Sequence, residues 1–225
     1  MAEASVLFTV AKEDANIALA NELAVFCECA NVDYFKVLAT FEGGMPMFKP
    51  SIIEEQNRNG AYLLLDFAEN ANVKLKLPAL ARQINEDMVK HAVNLTQEAL
   101  QSCGKTLRRS RVAVLGKVNP ASSVRIFAKT IEKKGAKVNF YDPSAKKESI
   151  DVGVLKTSLN EAIEGSDCIV VLSEQIVFNR LNLKKLKPLM KTPSAVVDFV
   201  GQIDPKQVEK EGFIYFGLGR RIEKK

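Results

Sequence analysis

The sequence predicts an α/β protein in which an all-helical first half is followed by a parallel sheet with helices on both faces. Two observations carry this. Up to Cys103, apolar residues recur at three- and four-residue steps, the period of a helix with one buried stripe. From Arg111 onward, short β-rich runs alternate with helical stretches, and those runs are continuously apolar rather than alternating, as strands covered on both faces are. The change falls at Cys103-Gly104, which ends the last long helix, so residues 1–104 form one domain and 105–225 the next.

Ile17, Ala20, Leu23, Ala24 and Cys27 define a first helix over Lys12 to Ala30. A second runs from Asp33 to Phe41 and stops at Gly43-Gly44. Met45 to Pro50 then forms a loop, because both prolines lack an amide donor and restrict the residue before them. Helical spacing returns from Ile52 to Asn70, with a break expected at Asn59-Gly60. The longest helix spans 77–102, with Leu77, Leu80 or Ala81, Ile84, Met88, Ala92, Leu95 and Ala99 on its stripe. Short neighbours cover only part of such a stripe, so a second copy is expected on it, with Leu80, Ile84, Met88, His91 and Leu95 as the dimer interface. His91, the sole histidine, reads as an interface or core residue, since no acid or nucleophile partners it in the pattern.

The β-rich runs are Val112–Leu115, Lys137–Phe140, Cys168–Leu172, Ala195–Asp198 and Phe213–Phe216, a Rossmann-like succession. After the first run stands Gly116, followed by Lys117-Val118-Asn119-Pro120. A dinucleotide loop needs three glycines, for the tight turn, the phosphate approach and the helix packing, and one is present, so NAD binding by this chain is not expected. Asp142 ends the second run, where an acid could accept from a ribose; Asp-Pro is also ordinary turn chemistry, and that reading is preferred.

With 47% hydrophobic residues over 225 positions the chain can build a sizeable core. Its apolar runs are too short for a bilayer and its start lacks a signal-peptide pattern, so a cytoplasmic location without membrane contact is expected. Cys27, Cys29, Cys103 and Cys168 follow no disulfide or zinc spacing and read as packing residues, with no metal site. The net charge of +5 is spread over helices mixed with acids, and no nucleic-acid partner is expected. The densest basic run, Lys105 to Arg111, lacks aromatic residues for base stacking and reads as a hinge or a weak anion contact.

Several segments carry a family resemblance. Asn16 to Ala24 (NIALANELA) resembles the core helix of the UDP-glucose/GDP-mannose (nucleotide-sugar) dehydrogenases, Ala81 to Met88 (ARQINEDM) the start of their long dimerisation helix, and Arg111 to Gly116 (RVAVLG) the entry strand of their third domain. Gly135-Ala136-Lys137-Val138 with Tyr141-Asp142-Pro143, Ser158 to Ala162 with Ser166 to Leu172, and Gly212 to Tyr215 with Gly217-Leu218-Gly219 follow in the family's order. The resemblance covers nearly the whole chain. It implies a helical dimerisation domain followed by a UDP-binding-like domain.

It also exposes departures. The family oxidises an alcohol to an acid through a thiohemiacetal on a cysteine that follows Gly-Gly-His. With Gly43-Gly44 aligned, Met45 replaces the histidine, Pro46 the nucleophile, and Pro50 the aspartate beyond it. Proline offers neither nucleophile nor acid/base group. Val6 and Val10 fall at the family's helix lysine and asparagine, with Lys12 near enough to serve in a shifted register. The loop after the entry strand is short, Pro120 lies near an expected arginine, Lys117 loosely matches the loop lysine, and Asp198-Phe199-Val200-Gly201 replaces Asp-Gly-Arg-Asn. No glycine-rich strand-turn-helix precedes the first helix, so NAD is expected only through a separate domain. The expectation is no catalytic residue and no activity of this chain alone: a catalytically degenerate homodimer in a regulatory or assembly role, with residual nucleotide-sugar contact at Gly43, Gly44, Lys49, Gly116 and Asn119. The alternative is one subunit of a split dehydrogenase whose NAD-binding domain is another chain.

Overall fold

The computed structural model describes residues 2–41, 49–52, 55–117, 123–145, 152–174, 178 and 181–220. Helix α1 covers Ala2–Ala30, ten residues more at its start than the periodicity suggested, because Ala2 to Ala11 contains no glycine or proline to stop it. Its end is a left-handed cap: Asn31 has φ +57°, and the Val32 amide donates to the Cys27 carbonyl at 2.9 Å. Asp33 then caps α2 (Tyr34–Ala39), its carboxylate accepting from the amides of Phe35 at 3.0 Å and Lys36 at 3.2 Å.

Helix α3 covers Glu55–Asn70 and runs through Gly60, where a break was expected. The reason lies in packing. A Cβ at Gly60 would stand 3.0 Å from Val10 Cγ1, so the missing side chain lets α1 and α3 close against each other. Helix α4 covers Lys76–Ser102, as the pattern indicated.

The second half supplies β1 (Arg111–Leu115), α5 (Ser123–Lys133), β2 (Lys137–Tyr141), β3 (Val154–Leu155), α6 (Leu159–Ile163), β4 (Cys168–Val171), α7 (Leu183–Leu186), β5 (Ala195–Asp198), α8 (Pro205–Lys210) and β6 (Ile214–Gly217). All strands pair in parallel in the order β3-β2-β1-β4-β5-β6. The edge strand β3 leaves no signal in the sequence, because two residues show no period.

Side chains alternate between the sheet's two faces. Val112, Val114, Phe140, Val170 and Val197 pack with Phe127 and Ile131 of α5 and with α4; Ala113, Leu115, Ile169 and Val196 pack with α6, α7 and α8. The first core is continuous with Ala20, Ala24 and Cys27 of α1, so the second half of α4 is itself a covering helix of the sheet. The proposed interface stripe therefore divides. Met88 and Leu95 are buried in the chain's own core, Ile84 and His91 are half-buried, and Leu80 is exposed. Reading Met88 and Leu95 as contacts to a second copy is corrected by this burial.

Cys27, Cys103 and Cys168 are buried, whereas Cys29 is exposed and is not the packing residue expected. Among the described residues no His/Cys/Asp/Glu group has metal-site geometry, and no helix is long and apolar enough to cross a membrane.

Candidate functional site

In an open parallel sheet, ligands settle outside the carboxyl ends of the strands where the strand order reverses. Here that point lies between β1 and β4. The chain leaves β1 at Gly116 and β4 at Ser173, and the Lys117 amide donates to Ser173 Oγ at 2.9 Å. A Cβ on Gly116 would lie 2.8 Å from that oxygen, so a side chain here would push the Ser173 hydroxyl off its bond to the Lys117 amide.

The helical half reaches the same point. Lys49 Nζ stands 2.5 Å from Glu174 Oε1, and Glu174 follows Ser173, which accepts from the Lys117 amide next to Gly116. Gly43, Gly44 and Asn119 lie outside the described residues, as do Met45 and Pro46. Both side chains of the Lys49–Glu174 pair are about half exposed, so it contributes on the order of 0–1 kcal/mol and can open for a ligand. Among the described residues this point offers an ammonium, a carboxylate, a hydroxyl and peptide amides, groups able to hydrogen-bond a polar ligand.

A buried polar network, unrecognised in the sequence, fixes the segment that carries Lys49. Asn21 Nδ2 donates to the Ser51 carbonyl at 3.2 Å and to Asn85 Oδ1 at 2.9 Å, and Asn21 Oδ1 accepts from the Ser51 amide at 2.9 Å. Asn85 donates in turn to Asp14 Oδ1 at 2.9 Å. Arg82 Nη1 lies 3.0 Å from that same oxygen, yet Nε, Nη1 and Asp14 Oδ2 have no aligned hydrogen bond among the described residues. The contact is ionic but poorly oriented. Burial pushes the Asp14 carboxyl up, against the opposing pull of Arg82 and Asn85. The signal was available: Asn21 and Asn85 are polar residues set into apolar stripes.

Elsewhere the carboxyl edge is filled. Asp198, fully buried at the end of β5, accepts from the amides of Val200 (3.1 Å), Gly201 (3.0 Å) and Ile203 (2.7 Å). Burial pushes its carboxyl up while those donors pull it down. Its lone pairs serve its own turn. Phe35 of α2 lies on Gly201, and Arg220 covers the Phe35 ring at 4.4 Å while its Nε donates to Asp33 at 3.2 Å.

His91 is engaged away from the cleft. Its Nε2 stands 3.0 Å from Glu28 Oε2, and Glu28 Oε1 accepts from the Gly219 amide at 2.8 Å. This links α1, α4 and the segment after β6. Asp142 accepts from the Ser144 amide at 2.8 Å, an Asx-type turn, as preferred from the sequence.

Residues 120–205 match the family described as the UDP-glucose/GDP-mannose dehydrogenase family, UDP binding domain. The UDP-N-acetyl-D-mannosamine dehydrogenase of Pyrococcus horikoshii is 29% identical over 221 residues, covering 92% of this chain and 49% of that protein. The UDP-glucose 6-dehydrogenase of Rhizobium meliloti is 28% identical over 173 residues, covering 70% and 37%. The structure of the Pyrococcus horikoshii UDP-D-ManNAc dehydrogenase superposes with a TM-score of 0.79 at 27% identity over 95% of this chain and 50% of that one. The NDP-N-acetyl-D-galactosaminuronic acid dehydrogenase of Methanosarcina mazei shares the fold at a TM-score of 0.87 and 24% identity. The chain spans about half the length of the curated relatives it matches.

Proposed function

Because the chain belongs to the UDP-glucose/GDP-mannose dehydrogenase family, we propose that it is a catalytically degenerate relative that keeps nucleotide-sugar affinity at the Lys49–Gly116 cleft and acts as a dimeric regulatory or assembly protein. What carries this reading is Pro46, which takes the place of the family's thiol when Gly43-Gly44 is aligned with its Gly-Gly. Helix α1 supports it. In the register that sets Val10 at the family's asparagine rather than bringing Lys12 into play, an apolar side chain next to Gly60 takes the place of a polar group.

The residues do not fit a dinucleotide at the sheet edge, since Gly116 is taken up by Ser173 and the further glycines of such a loop are missing. No step is routed through NAD. The dimer would use the exposed rim of α4, where Leu77 and Leu80 face outward. Four unpaired cysteines suit a reducing, cytoplasmic setting.

The second reading is one subunit of a split dehydrogenase whose NAD-binding domain is another chain. It would still need a thiol at position 46. Calorimetric titration with UDP, UDP-glucose, GDP-mannose and NAD, alongside an assay for NADH formation, tests both. The proposal expects a nucleotide sugar to bind, with about tenfold weakening in Lys49→Gln, and no heat from NAD. NADH formation with a nucleotide sugar would overturn it, and no binding by any nucleotide would remove the affinity claim.

A further inference from the structure

At the opposite edge of the sheet, two segments far apart in sequence build one basic surface. The turn before β1 and the first residue of that strand bring Arg108, Arg109 and Arg111, and the junction of α5 with β2 brings Lys133, Lys134 and Lys137. Backbone hydrogen bonds hold the turns together: the Arg109 amide donates to the Gly135 carbonyl at 2.8 Å and the Lys137 amide to the Ser110 carbonyl at 2.8 Å. All six side chains are exposed, and none has an ionic or hydrogen-bonding partner among the described residues.

This surface runs into a groove of about 720 Å³, with Arg111, Lys137 and Lys156 on its walls. The volume is within the range of small-molecule sites, about 300–1,000 Å³. Three carboxylates also line it, and their orientation decides what it can accept. Glu132 accepts from the Gly153 amide at 3.1 Å, and Glu161 accepts from the Thr157 amide at 3.3 Å and hydroxyl at 2.8 Å. Both are turned to the chain. The Glu164 carboxylate has no hydrogen bond or ion pair among the described residues, and an anion is favoured where Arg111 and Lys137 line the groove, next to the rim that carries Arg108 and Arg109.

We infer that this groove and its basic rim bind a small ligand carrying an oligophosphate group, at a site separate from the Lys49–Gly116 cleft. An exposed ion pair contributes about 0–1 kcal/mol, so a single phosphate would be held too weakly and several linked phosphates contacting several cations are needed. No aromatic residue lies in either segment to stack bases, which favours a compact anion over a nucleic acid.

The test is titration of the full chain with inorganic tripolyphosphate at about 150 mM salt, where exposed charges more than about 8 Å apart are screened. The site variant is R108Q/R109Q/K134Q/K137Q; the charge-matched control is K12Q/K36Q/K74Q/K90Q. Saturable one-to-one binding is expected, weakened about tenfold or more in the site variant and within about twofold of wild type in the control. Equal loss in both variants, absence of saturation, or tighter binding of duplex DNA with competition would overturn it. Should the site variant fail to fold, acetylation footprinting of the wild-type protein decides. Tripolyphosphate must protect Lys134 and Lys137 and leave Lys74 reactive; unprotected Lys134 and Lys137 would equally sink the proposal.

Discussion

Asp14 and Arg82 form a buried ion pair whose hydrogen bonding is incomplete, and this makes them sensitive to one-sided change. Removing one partner leaves the other charge uncompensated, so Asp14→Asn is expected to cost about 3–5 kcal/mol. Replacing both with apolar residues, as in D14L/R82M, should come within about 1–2 kcal/mol of wild type, and urea denaturation distinguishes the two. Asp167 shows the opposite balance. Burial alone would push its carboxyl up, but the Lys105 hydrogen bond, the Arg111 amide and the Lys105 and Lys191 charges hold it below the ordinary value near 3.8. A depressed carboxylate stabilises the fold above its unfolded value and loses that contribution as pH falls through the folded one. The stability gap between wild type and Asp167→Asn is therefore expected to be constant from neutrality down to about pH 5 and to shrink below about pH 4. Asp14, shifted the other way, is common to both proteins and cancels.

Helix α2 depends on its neighbours more than on its own residues. Its six residues are too few to be stable alone, and what holds it is Asp33 at its start, the Phe35 ring on Gly201 and Arg220 over that ring. Gly201 has φ +69°, and a Cβ there would stand 2.2 Å from Phe35 Cζ. Gly201→Ala is expected to destabilise the protein by about 1–3 kcal/mol, with F35A/G201A recovering only the steric part, because the left-handed backbone stays strained in both. The thermal midpoints of the two variants and of Phe35→Ala make the comparison.

At the scale of the molecule, α4 serves two structures at once. Its second half covers the sheet through Leu95, Ala99 and Leu100, while its start carries Leu77 and Leu80 outward with relative exposures of 66% and 52%. If this rim meets a second copy, light scattering at micromolar concentration should give a dimer mass, and Leu80→Asp should yield a folded monomer. A monomeric wild type would refute that arrangement.

The order of elements, the long helix and five of the strands were readable in the sequence, since each depends on local periodicity. The exposed faces, the joined loops and the buried network were not. Met88 and Leu80 share one helical stripe, and only packing against α1 and the sheet decides that the first is interior and the second is free. Gly60 looked like a helix breaker until Val10 filled the space beside it. Lys49 and Glu174 lie 125 positions apart, as Arg108 and Lys134 lie far apart along the chain, and no local pattern encodes such meetings. Sequence determined what each segment could become; tertiary contact decided which surfaces were left to bind, because burial depends on neighbours that the chain brings together only when folded.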